Sequence, residues 1–276
     1  MPAARGSPAR VEITVLGCGT SQGVPLVAHD NPGWDRGEPR NWRTRSSVHV
    51  VIEGHHVQVD TGQEFRMQCL SNAIDEVDTV ILTHGHADHI LGMDDLRQFC
   101  HARGGAAIPV YSTEEGLGRI RTIFPYAIGK TKVDGYVNLD LRDMPEVLGL
   151  PGGGIVRSTL LPHGVDVLGL VFEEPSTGAR FAYYTDCKRV PAAARELARG
   201  ADVAILDGLR PEWHPTHMTV DEACEAAEAI GAGMTYLTHM TYQVDYATYS
   251  RRLERTHPRV RLAHDGLRLN LGRRAS

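Results

Sequence analysis

Six residues, His84-Gly-His-Ala-Asp-His89, carry the densest group of potential metal ligands in the chain. They place three imidazoles and one carboxylate directly after residues 79–83, a short β-branched, apolar run that predicts a buried strand. Imidazole nitrogens bind Zn²⁺ and other transition metals, and carboxylate oxygens suit harder ions such as Mn²⁺. The pattern therefore predicts a metal site for hydrolytic chemistry. A solvated, histidine-rich polar loop is the weaker alternative.

Three later segments share one pattern, an apolar strand that ends in a single ligand-type residue. They end at His163, Asp186 and His239. Alone, a histidine at a strand end is more often an ordinary hydrogen-bonded loop residue. Together with the six-residue motif, the three strand ends predict one composite metal centre.

The elements that must position these residues alternate between short strands and helices in both halves of the chain. Strands are predicted at residues 11–16, 47–53, 56–60, 79–83, 108–111, 136–139, 154–161, 168–172, 179–184, 201–206 and 234–238, with two more within 260–271. Helices are predicted at residues 63–72, 94–101, 114–124, 191–199, 219–230 and 246–255. We therefore expect an α/β fold with two packed sheets and helices outside. We expect a single domain over residues 11–276, preceded by a disordered leader at residues 1–10.

Composition restricts the partners and the compartment. The formal net charge of the 276 residues is −5 and no long basic run occurs, which argues against a long nucleic acid. No apolar run is long enough for a transmembrane helix. The five cysteines are scattered and odd in number, which indicates a reducing compartment, by default the cytoplasm. The sequence leaves a homodimer open.

The ordered set of motifs resembles the metallo-β-lactamase superfamily, whose H-x-H-x-D-H loop is followed by His, Asp and His at successive strand ends. Residues 17–25, 94–97, 185–187 and 206–217 narrow the similarity to its phosphodiesterase branch. There the chain resembles the PhnP-like phosphoribosyl 1,2-cyclic phosphate phosphodiesterases, which are related to ribonuclease Z. The resemblance implies an αββα sandwich of two mixed sheets packed face to face with helices outside.

The resemblance also implies two divalent cations, Zn²⁺ or Mn²⁺, and a bound hydroxide that attacks phosphorus. One cation would be held by His84, His86 and His163, and the other by Asp88, His89 and His239, with Asp186 bridging them. Asp88 would also serve catalysis. Asp60, in Val59-Asp-Thr-Gly62, matches the early aspartate that orients the metal loop.

His217 matches the position that assists phosphate cleavage in this branch. A departing alkoxide needs a proton even when metal ions stabilise the developing charge, and histidine can supply one near neutral pH. The alternative is a role in starting a helix, with Thr219 as N-cap and Glu222 completing a capping box. That box explains Thr219 but not His217, so we predict a general acid there.

Further substrate contacts are predicted at four positions with weaker signals. Arg45 could pair with a phosphate, although a surface arginine explains it equally well. Gln22 and Ser47 lie on segments that could face the site, and His214 precedes His217 by three residues. A structural role is the stronger reading of His214.

The chain departs from its relatives at residues 26–38, where they often carry a cysteine cluster that binds a structural zinc. No cysteine occurs in this segment. Because a structural zinc site needs several thiolate or imidazole ligands, we predict none here.

The resulting prediction is a dinuclear metal-dependent phosphodiesterase for a small, cyclic phosphodiester. An RNA-processing nuclease of the ribonuclease Z type is the alternative, but only about 23 residues separate His163 from Asp186, room for a hairpin rather than a long RNA-binding arm. A thioester or lactam hydrolase on the same fold would not need His217. A binding protein without catalysis would have lost ligands, and none is missing.

Overall fold

A computed structural model of the protein describes residues 11–129 and 135–272, so the predicted leader at residues 1–10 lies outside the described part. Two β-sheets pack against each other, and each has seven strands within the described residues. The first sheet contains β1 (Val11–Gly17), β2 (Ser47–Ile52), β3 (His55–Val59), β4 (Thr79–Ile81), β5 (Ile108–Ser112) and β6 (Leu139–Asp143). The second contains β7 (Val147–Gly149), β8 (Ile155–Pro162), β9 (Asp166–Glu174), β10 (Ala179–Tyr184), β11 (Val203–Asp207), β12 (Met234–Thr238) and β13 (Val260–Leu262). The last strand, β14 (Arg268–Leu271), returns to the first sheet beside β1.

Seven α-helices and four short 3-10 helices connect the strands of the described ranges. The α-helices are α1 (Phe65–Asn72), α2 (Ala87–Ile90), α3 (Arg97–Ala102), α4 (Glu114–Ile123), α5 (Ala192–Ala198), α6 (Val220–Ile230) and α7 (Tyr246–Thr256). The 3-10 helices are Pro39–Asn41, Met93–Leu96, Pro125–Ala127 and Pro151–Gly153. No described helix combines the length and the apolar character needed to cross a bilayer.

Side-chain alternation along the strands divides the interior into two apolar clusters. In β4, Ile81 points into the cluster between the two sheets, whereas Val80 and Leu82, the residue directly after the strand, belong to a second cluster beneath the helices. Successive side chains of a strand point to opposite faces, so a strand buried on both faces is apolar throughout. This arrangement confirms the predicted sandwich of two mixed sheets with helices outside.

Strand direction brings the sequence motifs to one region. In the second sheet β10, β11, β12 and β13 are parallel, and β8 runs in the same direction because it is antiparallel to β9. In the first sheet β3, β4 and β5 are parallel. Carboxyl ends of parallel strands meet at one edge of a sheet, which is where ligands bind in open α/β sheets.

Some local predictions are wrong. The strand expected at residues 136–139 begins only at Leu139, and β7 was not expected. The helix expected at residues 94–101 is instead a 3-10 turn followed by α3.

Candidate metal centre and acid–base pair

Three functional candidates leave their strands through an unusual backbone conformation. Asp60 follows β3 with φ of 60°, Asp186 follows Thr185 at the end of β10 with φ of 51°, and His239 follows β12 with φ of 59°. Left-handed φ is uncommon for residues other than glycine and is found preferentially at functional sites. The left-handed conformation turns each of these side chains away from the direction of its strand. Side chains from separate strand ends can therefore approach one another.

The first group of candidate ligands contains three histidines. One ligand atom each from His84, His86 and His163 lies within 4.8 Å of the others. His163 donates from Nδ1 to the Thr216 carbonyl at 3.0 Å, which leaves Nε2 for a cation. His84 and His163 are buried, whereas His86 is exposed. The group therefore opens to solvent on the side of His86.

The second group combines two carboxylates with two histidines. Asp88, His89, Asp186 and His239 are all buried, and their ligand atoms also lie within 4.8 Å of one another. The Oδ2 atom of Asp88 lies 3.1 Å from His89 Nε2 and 3.5 Å from His239 Nε2. Mixed nitrogen and oxygen donors of this kind suit Zn²⁺ and Mn²⁺ alike.

Asp186 lies between the two groups. Its Oδ2 atom is 4.0 Å from His84 Nε2 and 3.8 Å from His163 Nε2. Toward the second group, Oδ2 is 3.2 Å from His239 Nε2 and Oδ1 is 3.5 Å from His89 Nε2. The carboxylate occupies the place that a bridging ligand requires.

Asp60 supports the second group from behind. Its Oδ2 atom accepts a hydrogen bond from His89 Nδ1 at 2.8 Å, and its Oδ1 atom accepts one from the Thr83 backbone amide at 2.8 Å. The first contact fixes the tautomer of His89, so that Nε2 faces the centre. The second contact ties Asp60 to the residue before the six-residue motif. Asp60 thus holds both the ring and the loop.

Unsatisfied buried atoms test whether a cation fits these residues. His89 Nε2 and both ring nitrogens of His239 are buried without a hydrogen-bond partner among the described residues. Buried polar atoms are almost always paired, and each unpaired one calls for an explanation such as an ion. Because the Nε2 atoms of His89 and His239 face Asp88 and Asp186, a divalent cation fits the donor set.

Electrostatics keep the carboxylates ionised. Burial favours the neutral form of Asp186, but His239 and His89 hold the pKa of its carboxyl well below the usual range. Burial also opposes the charge of His239, yet Asp186 and Asp88 raise the pKa of that imidazole to about 9. The centre therefore contains strongly coupled opposite charges, and its carboxylates are ready to bind a cation.

His217 stands beside both groups and is paired with a buried aspartate. Its ring centroid lies 4.5 Å from that of His163 and 4.7 Å from that of His239. His217 Nδ1 donates to Asp207 Oδ2 at 2.7 Å, and the Cys187 amide donates to the same oxygen at 2.8 Å. Nε2 is consequently the nitrogen of His217 that can meet a substrate.

The capping box that was the alternative explanation for this segment is present, and it does not involve His217. The Thr219 hydroxyl accepts from the Glu222 amide at 3.1 Å, and the Glu222 carboxylate accepts from the Thr219 amide at 2.8 Å. This confirms the predicted capping box at the start of α6. His217 takes no part in it, although the box fixes the chain two residues beyond His217.

Three of the four weaker predicted substrate contacts lie at or near the surface. Arg45 forms an ion pair with Glu64 and donates from Nε to the Ser21 carbonyl at 3.1 Å, so its charge is already partnered. Gln22 is exposed on the neighbouring turn. His214 is half-buried with its ring centroid 5.0 Å from that of His217. Their contact with a substrate stays a prediction.

Ser47 does not face the site. It is fully buried, donates to the carbonyls of Val59 and Asp60, and accepts from Gln58. Its position at the start of β2 turns the hydroxyl toward β3, so a substrate cannot reach it. The predicted substrate contact at Ser47 is therefore wrong, and the residue instead braces the strand end that carries Asp60.

The segment at residues 26–38 is held by hydrogen bonds and aromatic contacts. The Asn31 side chain accepts from the Leu26 amide at 2.8 Å and donates to the carbonyls of Leu26 and His29. Trp34 packs edge-on against Trp42, with ring centroids 5.1 Å apart. These contacts hold the conformation of the segment without any cysteine side chain.

Sequence reasoning missed Asp207. It ends the apolar strand β11, the same pattern that identified Asp186 after β10, so the signal was present. The pairing with His217 could not be read from sequence, because it depends on how residues 208–216 return to the strand end.

Comparisons with known proteins agree with this geometry. The sequence profile of the β-lactamase superfamily domain matches residues 55–240. A solved structure described as a new diphosphatase from the PhnP family is similar over 95% of this chain and 98% of its own, with 35% identity and a TM-score of 0.84.

Two curated proteins are also related. Ribonuclease Z of Methanopyrus kandleri is 24% identical over 268 residues, which cover 85% of this chain and 94% of that protein. Octanoyltransferase of Porphyromonas gingivalis is 30% identical over 257 residues, 92% of this chain. The chain spans only 50% of the length of that octanoyltransferase. With the family profile covering most of the described sandwich and its ligand loops, the chain belongs to the metallo-β-lactamase superfamily.

Proposed function

We propose that this protein is a dinuclear metal-dependent phosphodiesterase for a small phosphodiester, a cyclic one such as phosphoribosyl 1,2-cyclic phosphate. The observation that carries the proposal is the Asp207–His217 pair. A ring nitrogen of His217 lies within 4.8 Å of ligand atoms of both His163 and Asp186. A proton donor is therefore available beside the two ligand groups.

Phosphodiester hydrolysis explains why such a pair is needed. Water adds to phosphorus, the bond from phosphorus to the leaving oxygen breaks, and that oxygen must gain a proton. His217 can donate it from Nε2, while the Asp207 carboxylate stabilises the protonated ring. When bound, Zn²⁺ or Mn²⁺ ions would neutralise charge on the phosphate and make water more acidic. A thiolate leaves without needing a proton, so hydrolysis of a thioester leaves His217 unexplained.

The relatives support a phosphate-containing substrate. A PhnP-family diphosphatase and ribonuclease Z proteins are among the similar proteins. We favour a small substrate over RNA, because only β9, β10 and their turns separate His163 from Asp186, and the net charge is −5. A long nucleic acid is therefore not among the proposed partners. We also propose a cytoplasmic location, which the five free, buried thiols support.

A substrate panel tests the proposal. Protein loaded separately with Zn²⁺ and with Mn²⁺ is assayed with bis-p-nitrophenyl phosphate, cyclic phosphates, a precursor tRNA, a thioester and a lactam. We expect turnover of the phosphodiesters. Metal analysis should find two ions per chain, because the site has two ligand groups. Preferential turnover of the precursor tRNA would favour the nuclease. Turnover of the thioester or lactam alone would overturn the proposal.

The variant His217→Ala separates catalysis from metal binding. Removing a general acid typically costs about 10²- to 10⁴-fold in rate. We expect a loss of that size in kcat on bis-p-nitrophenyl phosphate with an unchanged metal content. Loss of the metals in the same variant would instead assign His217 to the metal centre.

A further inference from the structure

Residues 210–216, here called the rim loop, cross from one ligand-bearing loop to the other. At one end the Thr216 carbonyl accepts the hydrogen bond from His163 Nδ1 at 3.0 Å. Closer to its start, Glu212 accepts from Gln243 Nε2 at 3.0 Å, and Gln243 lies four residues after His239. The rim loop also ends directly before His217. The rim loop therefore lies against the ligand-bearing segments on the side of His163 and His217.

The rim loop carries a large aromatic side chain in water. Trp213 is 66% exposed, more than the other exposed tryptophan, Trp42, at 46%. Trp42 packs against Trp34 and donates from its indole to the Arg36 carbonyl at 3.3 Å. Trp213 has no aromatic ring packed against it among the described residues. Trp42 thus has a structural role that Trp213 lacks.

A cation fixes one face of the Trp213 indole. Lys188 Nζ lies 5.5 Å from the ring centroid. The ammonium is itself held by Glu222 at 2.7 Å and by the His217 carbonyl at 3.3 Å. Arg210 also donates to the Trp213 carbonyl at 3.1 Å, which restrains the backbone. The ring is therefore supported on one side and open on the other, and Lys188 links it directly to the His217 backbone.

We propose that Trp213 is a stacking platform for a planar aryl or nucleobase group carried by the substrate. The inference rests on the proposed phosphodiesterase activity, but it favours small phosphodiesters that carry such a group over phosphoribosyl 1,2-cyclic phosphate, which has none. An ordered indole face stacks on any planar π-system, whatever its hydrogen-bonding edge. Because the rim loop contacts His163 through the Thr216 carbonyl and ends directly before His217, a base on this face would place the attached phosphate toward the ligand groups.

Tryptophan fluorescence gives a binding readout that does not require turnover. The chain contains three tryptophans, so the variant Trp34→Phe/Trp42→Phe reports Trp213 alone. Metal-loaded protein is titrated with adenosine 5′-monophosphate and, as the matched probe without a base, ribose 5-phosphate. We expect saturable quenching by the nucleotide and no comparable change with the sugar phosphate. The variant Trp213→Phe, with Trp34 and Trp42 intact, should show neither response.

Inhibition of bis-p-nitrophenyl phosphate hydrolysis gives the second readout. Aromatic stacking contributes enough that Trp213→Ala should weaken inhibition by the nucleotide about 10- to 100-fold. Trp213→Phe should restore most of it, and Trp42→Ala should leave it unchanged. Inhibition by ribose 5-phosphate should not move in any variant.

The outcomes separate this inference from the proposed function. Equal quenching by both probes, or equal inhibition constants in Trp213→Ala and the parent protein, would overturn the stacking platform while phosphodiester turnover stands. Selective quenching without any phosphodiester turnover would retain the aromatic site and refute the proposed activity. If the double variant fails to fold, the inhibition series decides alone, because Trp213→Ala and Trp213→Phe keep both Trp34 and Trp42.

Discussion

Replacing Asp207 with asparagine should slow phosphodiester hydrolysis by removing a charge while leaving the shape of the site. Asp207 is fully buried, and its Oδ2 atom accepts both from His217 Nδ1 at 2.7 Å and from the Cys187 amide at 2.8 Å. Its Oδ1 atom has no hydrogen-bond partner among the described residues. An asparagine can therefore keep both hydrogen bonds and place its amide nitrogen where Oδ1 now lies.

The size of the effect follows from what this substitution removes. A hydrogen bond to a charged acceptor contributes about 1.5–3 kcal/mol, against about 0.5–1.5 kcal/mol for a neutral pair. If the protonated ring of His217 loses about 1.4 kcal/mol of stabilisation in the variant, kcat should be roughly tenfold lower.

Steady-state kinetics on bis-p-nitrophenyl phosphate measure kcat for the variant and for the parent protein. Asp202→Asn is the matched control, because Asp202 is exposed just before β11 and should tolerate the change. In the background of His217→Ala, Asp207→Asn should cost nothing further, since the two residues act as one unit. A tenfold loss that persists in that background, or an unchanged kcat in Asp207→Asn alone, would refute a catalytic role for the pair.

Two further predictions concern the supports of the site and the fold. Asp60→Asn should weaken divalent metal affinity about 10- to 100-fold in a chelator competition, because it removes the carboxylate that orients His89, and unchanged affinity would contradict that role. Burial lowers the pKa of His49 from 6.5 to about 4. As the pH falls, the unfolded chain therefore takes up a proton at His49 at a higher pH than the folded protein does. Because of this residue, the free energy of unfolding should decrease by about 2 kcal/mol from about pH 8 to about pH 5. Urea titrations should show a correspondingly weaker pH dependence in His49→Gln, and parallel pH profiles would show that His49 does not titrate this way.

Strand ends were the predictable part of the site. Ligand-type residues after apolar runs identified His163, Asp186 and His239, because a buried strand has little other use for a polar residue at its end. The structure brings them to the six-residue motif through parallel strand order. Their role as metal ligands stays a prediction, although the geometry of the two groups fits it.

Contacts that depend on the path of a loop could not be predicted in the same way. Ser47 and Arg45 lie close together in sequence, yet Ser47 is fully buried against β3, whereas Arg45 forms an ion pair with Glu64. The direction of a side chain at the start of a strand depends on its register, and a shift of one residue reverses the face. The strand expected at residues 136–139 failed for a related reason, because aromatic and β-branched residues also occur in the extended segments that precede strands.

The rim loop is anchored mainly through its backbone. Carbonyl oxygens of Glu212, Trp213 and Thr216 accept the bonds from Arg210 and His163. Side chains at residues 213–216 can consequently be exchanged without removing these anchors. Under the proposed stacking role of Trp213, substrate choice and metal binding would be encoded by separate sets of atoms, so a mutation that alters the accepted substrate would not need to disturb the metal centre.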